Sequence, residues 1–356
     1  MRNITARLTV SAVAVLFLAA LMAGSTFAGN NPIDEKWWPS EFGPDDRAGA
    51  TNYITPESRI AAASLVKQGK VALLGMPYHL RTPLFPGRLL SITIPGGGGP
   101  THNLAWSGES FRQTFMDELF TAQIGQVGTQ FDALSHPMIR VEGREADGWK
   151  DGNYFYNRVR LEDVGTPYGI KDVGVENVGS FFTRGILIDM VALKGGNLAK
   201  GYVITLDDYK AALKAQGIDD AQQGNVVLIR TGWNDLWRGN LEKSQEQAIA
   251  DNNEFNSGEP GVAPEVCDHL AERKISMIAM DNWGIEPYDF AKIPPSQITD
   301  WGHCHANLVT RRGIYIFENL DLKQVGEDKA YEVLFAWAPL KIVGATGSPG
   351  NPIAAY

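Results

Sequence analysis

An alternation beginning near Gly185 most constrains what this chain can fold into. The apolar run GILIDM (Gly185 to Met190) gives way to LDDYKAALKAQG, then NVVLIRTGW, EVCDHLAERK, ISMIAMD and finally IYIFE. Short apolar runs bounded by turn signals read as buried strands, and the charged, Ala/Leu-bearing segments between them read as helices. Thr205 is placed to cap a helix that stops at Gly217, and Pro264 to open another. ANLVTRR reads as a short helix ending at Gly313. Alternating strands and helices predict an α/β layer architecture. Upstream, Thr55-Pro56-Glu57-Ser58 opens a helix running to about Lys67, because Thr is a good cap and Pro fits the first turn. VALLGMPY and LLSITIP read as strands. The loop GGGGP (Gly96 to Pro100) lacks the Gly-Lys-Ser/Thr ending of a phosphate loop, so no nucleotide site is expected.

The first residues need separate treatment. Arg2 and Arg7 precede an apolar run from Leu8 to Met22, and Thr26-Phe27-Ala28 ends in small residues. This order reads as a secretory signal cleaved near Ala28, with an uncleaved anchor as the alternative. Residues 29–356 then form the folded part, and the product is expected to be secreted or periplasmic. Losing two arginines takes the formal charge from −9 to about −11. That sign argues against nucleic acid or an anionic membrane as partner of the mature form, and leaves a small-molecule substrate. Two cysteines, Cys267 and Cys304, do not make a disulfide framework, and a domain of this size does not need one, so the reading leaves them unpaired.

The stretch GQVGTQFDALSHP carries the first chemical signal. Gln126, Gln130, Asp132 and His136 are all even-numbered, so an extended chain would place them on one side. Val127, Thr129, Phe131 and Ala133 would fall on the other, Gly128 would leave room, and Pro137 would end the ladder. A helix does not gather the same set. Carboxylate, amide oxygen and imidazole are all competent ligands for a divalent ion. From this row alone, a solvated polar strand face is the favoured description.

A second cluster, HCHANLVTRRGIYIFENLDL, changes the balance. His303 and His305 would share one side of an extended segment, and Glu318 ends an apolar strand on the same side as Ile314 and Ile316. A carboxylate aimed into a core is costly without a counter-charge, which a metal would supply.

With both clusters in view, GTQFDALSHP resembles the signature of the cyclase family of metal-dependent hydrolases, whose usual pattern is H-x-G-T-H-x-D-x-P-x-H. That family includes bacterial kynurenine formamidase, isatin hydrolase and trans-dienelactone hydrolase. FGPDDRAGATNYITPE, TRGILIDM, GNVVLIRTGW, PGVAPEV, HANLVTRRGIYIFENLDL and PLKIVGATGSP are similar to family segments in family order. The resemblance implies a single α/β domain of the swivelling β/β/α type, with a mixed sheet and a barrel-like core. It also implies a homo-oligomer, often with an N-terminal segment reaching a neighbour. It matches Asp132, His305 and Glu318 to metal ligands, and His136 to a proton donor and acceptor. Gln126 and Gln130 stand where most members have ligand histidines, as in the subgroup containing trans-dienelactone hydrolase. They are neutral, weaker donors that would bind through amide oxygen or through water, so one tightly bound ion is expected. Phe131 and Leu134 depart from the pattern, and His305 to Glu318 is one position longer than in many members.

The expected activity is that of a hydrolase using a water activated by Mn2+ or Zn2+ to open a lactone, ester or cyclic amide of a small, ring-containing substrate. The alternatives are an aryl formamidase of the kynurenine formamidase kind, or a non-catalytic metal- or ligand-binding protein on the same fold. His102, Trp283 and His303 are secondary candidates for contacting substrate, Trp283 by stacking. His79 reads as structural rather than cleft-lining, and His269 as irrelevant. A serine hydrolase is disfavoured because no Gly-x-Ser-x-Gly elbow occurs. A Cys304 nucleophile beside two histidines is disfavoured too.

Overall fold

The structure is a computed structural model that describes residues 36–104, 113–292 and 302–356. The signal-like segment therefore lies outside the described residues. Nine strands form the main sheet: β1 (Val71–Leu73), β2 (Gln130–Asp132), β3 (Phe181–Asp189), β4 (Val226–Arg230), β5 (Met277–Met280), β6 (Tyr315–Glu318), β7 (Glu332–Trp337), β8 (Gly347–Pro349) and β9 (Ile353–Ala355). Their spatial order is β1-β9-β7-β3-β4-β5-β6-β2-β8. The four central strands run parallel, and the flanking strands on both sides run antiparallel. This mixed sheet curls into a half-barrel, the barrel-like α/β architecture that the sequence implied.

The local rules work as read. Every residue of β4, β5 and β6 is buried, as parallel strands covered on both faces require. The helices include α1 (Pro56–Ala63), α2 (Leu206–Gln216) and α3 (Pro264–Glu272). Thr55 and Thr205 each cap a helix by accepting from the backbone N–H three residues on, with the reciprocal side-chain bond also present. Gly217 closes α2 at φ +67°, a left-handed conformation that suits glycine. Helix α1 stops at Ala63, short of the expected Lys67.

Phe131 of β2 packs into an aromatic cluster, with ring centroids 4.6 Å from Trp337 and 5.0 Å from Tyr315. Its neighbours Gln130 and Asp132 face the other way. The core thus anchors β2 from one side while the polar side chains remain free to build a site.

The cysteines correct the sequence reading. Cys267 of α3 and Cys304 form a disulfide, and both are fully buried. Their Cα atoms are 5.6 Å apart, within the ordinary range for a bridge. Size alone was the wrong criterion: this bridge fixes one helix to another rather than framing a small domain. It also removes Cys304 as a nucleophile.

Candidate functional site

The stretch from Gln126 to His136 is not one extended strand. Only residues 130–132 pair, and residues 126–129 turn ahead of them. Gly128 sits at φ +61°, and a Cβ there would lie 2.6 Å from the Tyr78 ring. The turn is stitched to the chain just beyond Glu318: Thr129 Oγ1 donates to the Asn319 carbonyl at 2.7 Å, and Asn319 Nδ2 donates to the Gly128 carbonyl at 3.0 Å. A turn therefore achieves what the expected ladder would have done. The even-numbered side chains still converge, because β2 pairs antiparallel with β6 in a register that sets Gln130 opposite Glu318.

The glutamine amides face the carboxylates. Gln126 Nε2 donates to Asp132 Oδ1 at 2.7 Å, and Gln130 Nε2 donates to Glu318 Oε2. Arg88 fixes the sense of the first amide: its Nη2 donates to Gln126 Oε1 at 3.0 Å. Flipping that amide would set an NH2 group against a guanidinium and an oxygen against a carboxylate, two repulsions in place of two bonds. In this arrangement each glutamine amide N–H is bonded to a carboxylate. Gln130 Oε1 and Asp132 Oδ2 are both buried without a hydrogen-bond partner among the described residues.

The histidine side also differs from an extended segment. Residues 303–312 are helical, with a π-helical stretch at His305–Thr310. A π turn closes over one more residue than an α turn and recurs at functional sites. His303 and His305 consequently diverge. His303 Nε2 lies 3.1 Å from Asp268 Oδ1 on α3, so the structure pairs it there and not in the cluster. His305 turns inward. Its Nδ1 donates to Glu286 Oε2 at 2.8 Å and its backbone N–H to Glu286 Oε1 at 3.1 Å. That leaves Nε2 aimed at the carboxylates, 3.6 Å from Asp132 Oδ2 and 3.5 Å from Glu318 Oε1. Single ligand atoms of Asp132, His305 and Glu318 lie within 4.8 Å of one another.

The electrostatics follow from burying acids together. Burial and the neighbouring Asp132 push the Glu318 carboxyl up to about 7, against the pull of His305 and Arg88. Burial opposes ionisation of Asp132, but the nearby imidazoles and the Gln126 bond outweigh it and hold its pKa below the usual value. Burial likewise works against charging His305, yet Glu286, Asp132 and Glu318 raise its pKa well above the ordinary imidazole value. His136 Nε2 lies 3.8 Å from Asp132 Oδ2, and 30% of its side chain is exposed. Desolvation lowers its pKa, with His305 and Arg88 adding to the effect. One imidazole is thus locked into the cluster, and the other borders it in neutral form.

The Cyclase family model, described as "Putative cyclase", matches residues 73–287. The chain belongs to the cyclase family. A crystal structure described as a novel cyclase is 32% identical, covering 88% of this chain and 98% of its own, with a TM-score of 0.70. Isatin hydrolase A from Ralstonia solanacearum is 20% identical, with coverage of 84% and 97% and a TM-score of 0.51, and it shares the fold. Among curated proteins no match is found.

In this cyclase-family chain the donor set fits a divalent ion. Two buried carboxylates and an imidazole converge, and Asp132 Oδ2 is an orphaned buried atom facing the gap. The Nδ1–H bond to Glu286 fixes the His305 tautomer with Nε2 as the lone pair, the usual support for a metal-bound histidine. Glu286 escaped the sequence reading, because another two acids and an amide in DNWGIEPYD give it no distinguishing local signal. Glu259 also escaped it. It is fully buried and accepts from the Trp283 and Gly284 backbone N–H groups at 2.6 and 2.7 Å. Arg88 gave no sequence signal at all. Trp283 is buried, and Phe85 stacks on it at 4.0 Å, so one indole face is already taken. His102 begins a short strand paired with Gln113–Phe115; its side chain lies outside the described residues. His79 Nδ1 accepts from the Arg81 N–H at 3.0 Å. His269 pairs with Asp220 at 2.9 Å.

Proposed function

We propose that this chain is a metal-dependent hydrolase that opens an ester, lactone or cyclic amide bond of a small, ring-containing molecule. The observation that carries the reading is the convergence of Asp132 Oδ2, His305 Nε2 and Glu318 Oε1 around a buried, unpartnered carboxylate oxygen. These three residues would hold one divalent ion, and the oxygen-rich set favours Mn2+ over Zn2+. When bound, such an ion polarises a carbonyl and makes water nucleophilic near neutral pH.

The remaining steps belong to the chain. Gln126 and Gln130 hold Asp132 and Glu318 by one N–H bond each, which fixes the carboxylates and leaves an oxygen of each facing the gap. Glu286 keeps the His305 ring from turning. His136 is uncharged near neutral pH because its pKa is lowered, so its Nε2 can accept a proton from the attacking water. It then returns that proton to the departing oxygen or nitrogen, the task of a general acid–base.

The decisive experiment measures metal by plasma mass spectrometry beside hydrolysis of a panel of lactones, cyclic imides and N-formyl aryl amines. Asp132→Ala should lose metal and turnover together. Full metal content with normal turnover in that variant overturns the assignment. We further propose export of the mature chain, which the buried disulfide supports because such bridges persist in oxidising compartments. N-terminal sequencing of the exported protein should begin near Gly29. A homo-oligomer is the proposed assembly, read by light scattering.

A further inference from the structure

Among the described residues, Arg88 is a cation held against this site by neutral groups. Its Nη1 donates to the Gln126 carbonyl at 2.6 Å and its Nη2 to Gln126 Oε1 at 3.0 Å. The guanidinium carbon sits 5.1 Å from the Trp283 ring centre and 5.5 Å from that of Phe85. A guanidinium carries five N–H donors, so most of its fork finds no acceptor among the described residues. Several other arginines are matched by acids, such as Arg47 by Asp172, Arg238 by Asp321 and Arg230 by Asp189. Arg88 has no described carboxylate in ion-pair contact, although Asp132 and Glu318 act on it from farther off. A half-buried cation clamped by an amide and two aromatic rings loses both hydration and rotamer freedom. Such a group is poised for an anion that arrives from outside.

We propose that Arg88 is the anion-recognition residue of this site and takes a carboxylate through its open fork. The proposal rests on the reading of this cleft as the hydrolase site. The carboxylate has two sources: one carried by the substrate, or the one that hydrolysis of an ester, lactone or amide creates. Planar, two-pronged donation suits carboxylate better than any neutral carbonyl.

The test compares benzoate with its neutral isostere benzamide by calorimetry, on the metal-loaded protein and on protein stripped with chelator. A preference owed to metal disappears on stripping, whereas one owed to Arg88 persists. The wild-type stripped protein should bind benzoate at least tenfold more tightly than benzamide, and Arg88→Gln should abolish that preference. No preference in stripped wild type, or an unchanged preference in Arg88→Gln, overturns the proposal. Should Arg88→Gln fail to fold, Arg88→Lys keeps the charge without the fork. It should weaken benzoate several-fold and leave benzamide alone; equal loss of both is the overturning result. Kinetics then separate the sources. With metal saturating, a rise in KM larger than the fall in kcat marks a substrate carboxylate, and product inhibition weakened by more than KM rises marks a product carboxylate. Absent turnover with an intact benzoate preference defeats the hydrolase reading alone. Intact turnover with no preference defeats the Arg88 assignment alone.

Discussion

Residues 126–136 and residues 303–318 face each other across the candidate metal centre and are secured by different means. The first is a turn held by side-chain hydrogen bonds, from Thr129, Asn319, Arg88 and the glutamines to one another. The second is a helix joined covalently to α3 through Cys304, one residue before His305, with His303 and Asn307 both bonded to Asp268 beside the bridge. The covalently tied side presents His305 and Glu318. The hydrogen-bonded side presents Asp132 and His136, the proposed proton carrier. Ligand placement on one side is fixed by chain connectivity, and on the other by polar groups that chemistry can perturb.

That contrast can be broken most severely at His136. His136→Ala should keep the metal and lower turnover by about 10²–10⁴-fold, the usual loss for a general acid–base. Loss of metal in this variant would instead make His136 a ligand and erase the division of labour. Next in size is the bridge. Replacing Cys267 and Cys304 by Ala should lower stability by about 3–4 kcal/mol, given the 37-residue separation it closes. Chemical denaturation would show this, and metal affinity should fall with it because His305 adjoins the bridge. An unchanged denaturation midpoint would mean that noncovalent packing alone secures that side.

Smaller effects are expected from the groups that orient ligands without replacing them. Gln126→Leu or Gln130→Leu should weaken metal binding by roughly 10–100-fold, and Glu286→Gln on the opposite side by a similar factor. Wild-type affinity in both leucine variants would reduce the glutamines to bystanders. The smallest effect comes from pH. Metal must displace protons from Glu318, pushed up to about 7, and from His305, raised well above its ordinary value. Both ligands bind the ion deprotonated, so affinity should rise with pH through the neutral range. Metal titrations at several pH values would show it; a flat profile would exclude these two groups as displaced acids.

Sequence reading reached the polar face of this site because side-chain parity and a misplaced acid are local signals. Asp132 and Glu318 announced themselves by position, and Thr205, Pro264 and Gly217 by capping chemistry. It failed where the deciding partner lies far along the chain. Nothing near Arg88 indicates that it meets Gln126, and nothing near Cys267 indicates that α3 lies beside residue 304. Nor does local pattern distinguish a π turn from an extended pair of histidines, since the difference is which carbonyl each N–H selects. The orientation of the Gln126 amide was not legible either, because it depends on Arg88.

The placement of β2 has a consequence for how the protein is made. This three-residue strand lies between β6 and β8, so its hydrogen-bonding neighbours are residues 315–318 and 347–349. During synthesis Gln130 leaves the ribosome 188 residues before Glu318. At about 5–20 residues per second, the signature waits roughly 10–40 s for its first strand partner, and longer for β8. Through that interval Phe131 and its neighbours have no sheet to join, and long-range pairing of this kind is slow to close. Chains arrested before residue 315 should therefore be cleaved by protease around residues 126–136, while chains released at full length should not. The metal centre is a late product of folding, completed only when the C-terminal strands arrive.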